Sequence, residues 1–409
     1  MGNLSVDGAR LWDSLMQMAK IGATPRGGSR RLALSDLDRE GRDLFVRWCE
    51  EAGCAVRVDR MGNIFARRPG RDNGQPPVMM GSHLDTQPSG GRFDGVYGVL
   101  AGLEVIRTFN DHGYETEAPV EVSVWTNEEG SRFAPSMIGS GVFAGVYPLE
   151  KGLACSDADG LTIGDELQRI GHAGDAACGG WPIRAFFEAH IEQGPILEAE
   201  GMTIGVVTGA QGLRWYDVTV GGMDSHSGTT PMDRRRDAMV GAARMVGAID
   251  RIGRDTPAAV TTVGMVRVSP NSRNVIPGEV FFSIDARHPD AAALEAMDAA
   301  IREACAEIAT QAGLELQISD VTNTAPVVFD AECVDAVRRA AEQAGYAHRD
   351  IVSGAGHDAC FISRVAPTAM IFVPCKDGIS HNETESATPE DLTAGCNVLL
   401  RVVMDAAEA

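Results

Sequence analysis

The feature that most constrains this chain is where its polar residues fall relative to its apolar runs. Pro77–Gly81 (PVMMG), Val120–Trp125, Ala185–His190 (AFFEAH) and Thr368–Val373 read as short buried strands. Helical patterns such as Val96–Asn110 and Ala331–Ala344 intervene, and strands alternating with helices of this length make a mixed or parallel sheet covered by helices. His, Asp and Glu concentrate where the strands end. The first strand leads into GSHLDT, with His83 and Asp85, and then GGRFDG, with Asp94. The second ends in TNEEGSRF, with Glu128 and Glu129; the third in EAHIEQG, with His190 and Glu192; and DGISHNE supplies His381 near the C-terminus. Ligands of open α/β sheets gather beyond the carboxyl ends of the strands.

Composition removes several classes of protein. At 409 residues, 44% hydrophobic and 23% charged, the chain is long enough for two or three structural units and too ordinary for a disordered or fibrous protein. The apolar stretch Val96–Ile106 is interrupted by Glu104, and no run reaches the ~18 residues that a membrane span requires. The N-terminus lacks the basic and apolar regions of a signal peptide, and Val6 stands where a myristoylation pattern has Ser or Thr. A cytoplasmic location is expected. A net charge of −21 repels phosphate backbones and anionic lipid, so no nucleic-acid or membrane partner is expected, and an anionic substrate needs a local cation. Nine dispersed Cys without a C-x-x-C pair fit reduced thiols.

The rhythm changes near residue 210. Trp215–Val220, Ala258–Val268, Val280–Ala286 and Leu314–Ile318 read as strands, Ala238–Ile252 and Ala291–Ala312 as helices. Their β-α-β-β-α-β order is the ferredoxin-like split pattern. The expected fold is therefore α/β: a discontinuous catalytic domain, 1–209 and 326–409, with an inserted α+β domain, 210–325. Glycines near Thr208–Gly212 suit either a hinge for closure or a tight turn.

Each polar piece alone has a plain explanation. A single His is more often a core or surface residue than a ligand, adjacent acids usually form a solvated face, and a Gly-rich loop is usually a turn. The Glu128–Glu129 doublet, however, follows a buried strand and lies between Trp125 and Phe133. Four strand ends offering imidazole and carboxylate together suggest a metal centre, of a kind suited to Zn, Mn, Co or Ni.

The motifs GSHLDTQPSGGRFDGVYGVLAGLEV, WTNEEGSRFAPSMIGSGVFAG, EAHIEQGPILE, NVIPGEV, SGAGHDA and PCKDGISHNE together resemble the N-carbamoyl-L-amino-acid hydrolase, β-ureidopropionase and allantoate amidohydrolase branch of the M20-type di-metal peptidase/amidase superfamily. The resemblance runs from about residue 60 to the end. It implies a mixed-sheet di-metal catalytic domain with the insert as lid and dimerisation module, and two divalent ions. By motif, His83 and His190 hold one ion, Glu129 and His381 the other, and Asp94 bridges them. Glu128 is then the general base and Asp85 a carboxylate that fixes the His83 imidazole. Arg287 in SIDARHP is implied as the carboxylate anchor, Asn274, Gln193 and Gly356 as further substrate contacts, and His226 as an oxyanion donor reaching in from a partner subunit of a homodimer. Ser225 and Ser227 flank His226 where relatives often carry Ala, no role follows for Arg214, and His357 is either structural or functional.

The implied reaction is hydrolysis of the ureido C–N bond of an N-carbamoyl α- or β-amino acid to amino acid, carbon dioxide and ammonia. An allantoate or ureidoglycolate-type substrate, a metallo-exopeptidase or aminoacylase activity, and a non-catalytic binding protein are the alternatives.

Overall fold

The computed structural model describes residues 4–409 and divides into two compact units, one reaching to Thr208 and resuming at Phe329–Ala409, the other spanning Gly209–Val328. In the first, four strands run parallel side by side in the order Val120–Trp125, Val78–His83, Ala185–Ile191, Thr368–Val373. Antiparallel strands extend the sheet: Ile64–Arg68 and then Ala55–Val58 at one side, Ile204–Ala210 at the other. The sheet is thus mixed, and its four parallel strands are buried along their whole length. Strands buried on both faces tend to read as apolar runs, as Thr368–Val373 does after its first residue, whereas Val120–Trp125 alternates through Glu121 and Ser123, both buried, with Arg57 3.0 Å from the Glu121 carboxylate.

The helices explain their own limits. Ser35 accepts a hydrogen bond from Asp38 N at the start of Asp36–Glu51, and Thr388 caps Pro389–Glu408 through Asp391 N, with Pro389 in the first turn. Helix Val96–Asp111 is buried on nearly every side, packed on strand Val78–His83 and on the first and last helices of the chain. Its interior Glu104 is tolerated because Arg10 binds it through two nitrogens at 2.8 Å and Asp7 N donates at 3.1 Å.

In the second unit, strands Val266–Ser269, Glu279–His288, Gly212–Gly221 and Glu315–Thr324 lie antiparallel in that order, and helices Ala238–Asp255 and Ala291–Ala312 pack together against them. Numbered along the chain the strands read 4-1-3-2, the split β-α-β arrangement. The single strand expected over Ala258–Val268 is instead two, Val260–Thr262 and Val266–Ser269, both paired to Glu279–His288, with Gly264 in the interruption. Gly209 and Gly212 allow the connecting segments to approach: a Cβ would stand 2.1 Å from Val327 O at one and 2.6 Å from Pro326 Cδ at the other.

All nine cysteines are free. No helix among the described residues is long and apolar enough to cross a membrane.

Candidate metal centre

Because the four central strands are parallel, their carboxyl ends share one edge of the sheet. The first strand runs two residues further than its apolar pattern, to His83, and the third carries His190 one residue before its end. Asp94 stands in the loop after the first strand, Glu128 and Glu129 in the loop after the second, and His381 in the loop after the fourth.

These side chains converge on Asp94. Its Oδ1 lies 3.6 Å from His83 Nε2 and 3.2 Å from His190 Nε2, and its Oδ2 lies 3.3 Å from His381 Nε2. His381 Nε2 is also 3.3 Å from Glu129 Oε2. Two donor triads result, His83–Asp94–His190 and Asp94–Glu129–His381, each with ligand atoms within 4.8 Å of one another. One carboxylate presenting a different oxygen to each triad is the arrangement that a bridged pair of cations requires. Glu128 adjoins the first triad, its Oε2 3.4 Å from His83 Nε2.

Local structure prepares the imidazoles. His83 Nδ1 is 2.9 Å from Asp85 O, and His190 Nδ1 is 2.9 Å from Ile191 O. A carbonyl only accepts, so Nδ1 carries a hydrogen in both rings and Nε2 is the nitrogen turned to the triads, where Gly95 N also donates to His190 Nε2 at 3.1 Å. Gly95 has φ +66°, and a Cβ there would stand 2.3 Å from the His83 ring. His381 and Gln193 hold left-handed backbone, φ 52° and 57°, uncommon for residues other than glycine and typical of functional sites.

The electrostatics fit a dication pair. Burial opposes the Asp94 carboxylate, but the three imidazoles outweigh it and hold Asp94 well below the usual carboxylate range. Glu129 is pushed up to about 7, by burial first and then by Asp94. Glu128 is raised well above its ordinary value by burial, opposed by His83 and reinforced by the carboxylates of Asp358, Glu129 and Asp85. This buried crowd of acids is repulsive by itself, and divalent cations between them would relieve it. The donors are imidazole and carboxylate without thiolate, as Zn, Mn, Co or Ni would accept.

Asp85 differs from expectation. Its carboxylate is 4.0 Å from His83 Nδ1, which is met instead by its backbone carbonyl. The side chain turns to the acidic doublet: Oδ1 accepts from Glu128 N and Oδ2 from Glu129 N, both at 3.2 Å. Two successive N–H groups offer a carboxylate more than one already occupied ring nitrogen, so Asp85 holds the loop. Gln193 Nε2 donates to Asp94 Oδ2 at 2.9 Å, while its buried Oε1 has no partner. Gly356 lies in the loop before His357, where a Cβ would meet Met137 Cε at 2.9 Å.

The remaining expected residues belong to the second unit. His226 and Asn274 are neighbours there: His226 pairs with Val275 across a two-stranded ladder, Ser227 N donates to Asn274 O, and His226 Nδ1 accepts from Gly228 N at 3.0 Å. Arg287 is bound to Asp285 on its own strand, its Nη2 2.8 Å from Oδ2, so an anchoring role would be shared with that acid.

Several residues escaped sequence reasoning. Asn63, fully buried, accepts from Thr126 N at 2.9 Å and donates to Gly139 O at 3.1 Å and to Asp59 Oδ2 at 2.9 Å, thereby bracing the loop that carries the doublet. Glu188 and Asp358 are buried acids. Glu188 accepts from Ser82 Oγ at 2.7 Å and Ala359 N at 3.0 Å, and Asp358 accepts from Ser140 Oγ. Glu188, His190 and His357 form a third group of possible ligands, in which burial and then the His190 charge keep His357 well below its ordinary value. Glu188 precedes His190 by two on one strand, and that spacing was the one available signal.

Residues 79–405 match the pattern of peptidase family M20/M25/M40. The chain belongs to this family. It is 52% identical to an N-carbamoyl-L-amino-acid amidohydrolase of Rhizobium meliloti, over 99% of this chain and 98% of that one. It is 39% identical to an N-carbamoyl-L-amino acid amidohydrolase of Geobacillus stearothermophilus, over 98% and 99%. A crystal structure of an amidase of the hydantoinase/carbamoylase family from Burkholderia multivorans superposes with a TM-score of 0.97 at 64% identity, each chain covered in full. The M20 chain described here is accordingly a hydrolase, with a mixed α/β fold shared by these amidases.

Proposed function

We propose that this M20 hydrolase cleaves the ureido C–N bond of an N-carbamoyl amino acid, consuming one water and releasing the amino acid, carbon dioxide and ammonia. The observation that carries the reading is the pair of triads sharing Asp94, with Glu128 beside them, in a chain whose relatives bear the carbamoyl amidohydrolase name. Those names favour an L-α-amino acid as the product over a β-amino acid.

His83, Asp94 and His190 would hold one divalent ion, and Asp94, Glu129 and His381 the other. Zn, Mn, Co or Ni in these positions supplies Lewis acidity and positive charge at the scissile carbonyl. Glu128 takes the proton of the attacking water and delivers it to the leaving nitrogen. Burial raises its proton affinity well above that of an ordinary carboxylate, as a group that must both take and return a proton needs. Asp85 keeps the doublet in register through the two backbone N–H groups, so that one acid ligates while its neighbour moves protons. Gln193 offers its unpartnered Oε1 to the ureido N–H, and Gly356 contributes backbone contact. Arg287 binds the substrate carboxylate, Asn274 is a further substrate contact, and His226 donates to the oxyanion. We further propose a cytoplasmic homodimer in which His226 serves the partner's site and the Gly209–Val328 unit acts as lid and dimerisation module.

The test is ammonia release from a panel of N-carbamoyl α- and β-amino acids, both enantiomers, with added Mn, Zn or Co, beside an N-acyl amino acid, a dipeptide and allantoate. Preference for N-carbamoyl-L-α-amino acids is expected. Faster turnover of the dipeptide, the N-acyl compound or allantoate would replace the substrate assignment.

A further inference from the structure

We infer that Glu385, which no motif reading singled out, is a positioning residue that sets the affinity of the second triad, Asp94–Glu129–His381, for its divalent ion. The inference rests on the metal reading above and goes beyond it.

Glu385 is fully buried, and its two carboxylate oxygens join two loops nearly three hundred residues apart in the chain. Oε1 accepts from Phe93 N at 2.9 Å and from Asp94 N at 3.2 Å, so the backbone of the shared ligand hangs on this side chain. Oε2 is 2.9 Å from Ser380 Oγ, the residue before His381. Ser380 Oγ is in turn 2.9 Å from Asp94 Oδ2, the oxygen that faces the second triad. Gln193 Nε2 closes the ring, 2.9 Å from Asp94 Oδ2 and 3.3 Å from Ser380 Oγ. The close fit demands a glycine opposite: a Cβ on Gly91 would stand 2.0 Å from the Glu385 carboxyl.

The first triad is less exposed to this residue. His83 and His190 take their orientation from carbonyls of their own strand ends, at Asp85 and Ile191. His381 sits in a loop, on left-handed backbone, and the Ser380–Glu385 linkage, with Gln193 beside it, ties that loop to the Asp94 segment through side chains. Partners that orient metal ligands typically change affinity by about 10–100-fold when removed. Loss of Glu385 should therefore fall on the second equivalent of metal.

Ser380 has one hydroxyl hydrogen for two carboxylates. In Glu385→Gln the amide oxygen can still accept from Phe93 and Asp94, and the amide nitrogen can donate to Ser380 Oγ, releasing that hydrogen wholly to Asp94. Glutamine should thus rescue what alanine loses.

The experiment titrates the metal-free full-length protein with Mn²⁺ and follows free Mn²⁺ by electron paramagnetic resonance. The wild type should take up two equivalents. Glu385→Ala should weaken the second at least tenfold and the first less than threefold, with Glu385→Gln within threefold of the wild type at both. Two wild-type equivalents retained unchanged by Glu385→Ala, or both weakened equally by Glu385→Ala and Glu385→Gln, overturn the inference. Should Glu385→Ala fail to fold, Ser380→Ala carries the same expectation, and wild-type affinity for the second ion there is equally fatal. A wild type that binds no Mn²⁺, Zn²⁺, Co²⁺ or Ni²⁺ refutes the metal reading itself.

Discussion

Replacing Asn63 by alanine should damage both stability and turnover, in amounts that the structure sets. Its amide makes three buried hydrogen bonds, to Thr126 N, Gly139 O and the Asp59 carboxylate. Neutral bonds are worth about 1 kcal/mol each and a bond to a charged group about 1.5–3, so the loss comes to about 3.5–5 kcal/mol. Little repacking can recover it, because the approach is already tight: a Cβ on Gly139 would lie 2.5 Å from Asn63 Oδ1. The damage should reach the chemistry. Thr126 precedes Glu128 by two residues, and Met137, just before the helix that contains Gly139, donates its N–H to Glu128 O at 2.7 Å. With the brace gone, Glu128 and Glu129 lose one of their supports, Asp85 being another, and a shift of about 1 Å in a reacting group costs on the order of 10²-fold. Urea unfolding of the chelated protein isolates the first effect from metal linkage, and kcat/KM on an N-carbamoyl-L-amino acid measures the second. A loss below 1 kcal/mol with unchanged kcat/KM would refute the reasoning.

Glu128→Gln should lower turnover about 10²–10⁴-fold while metal content stays at the wild-type level; near-full turnover with metals bound would remove Glu128 from the role of base. Gly95→Ala adds a Cβ at φ +66° only 2.3 Å from the His83 ring, so metal content and activity should fall together, and an alanine variant with full metal occupancy would contradict the packing argument. Glu166, gripped by Arg169 and Arg132, is held below its ordinary 4.5, with the Arg169 hydrogen bond the largest cause. A lowered acid stabilises the fold above its unfolded pKa and loses that contribution as pH falls through the folded value. Glu166→Gln should therefore be less stable than wild type at neutral pH, the gap narrowing only below about 4.5; a gap in urea midpoint that stays constant on acidification would disprove the linkage.

Much of the first unit was legible in one dimension. Val120–Trp125, which alternates through the buried Glu121 and Ser123, and Thr368–Val373, apolar after its first residue, were both located to the residue. Polarity that begins abruptly at the end of such a strand places His83, Glu128, Glu129 and His190 at the carboxyl edge without any knowledge of the neighbouring strands. Edges set by hydrogen bonding were read less well. The first strand outran its apolar pattern into Ser82 and His83, and Ala258–Val268 broke in two at a glycine.

Sequence alone settled which chemical groups stand at the strand ends and that they are imidazoles and carboxylates, because burial and periodicity are local properties of a segment. Tertiary structure alone decided that Asp94 would turn a different oxygen to each triad, that the Asp85 side chain would hold a backbone loop while its carbonyl met His83, and that Glu385 would reach the Asp94 segment from the far end of the chain. Those outcomes depend on the register of parallel strands and on the few hydrogen bonds that loops make across it. No residue's own pattern encodes the position of a partner hundreds of residues away.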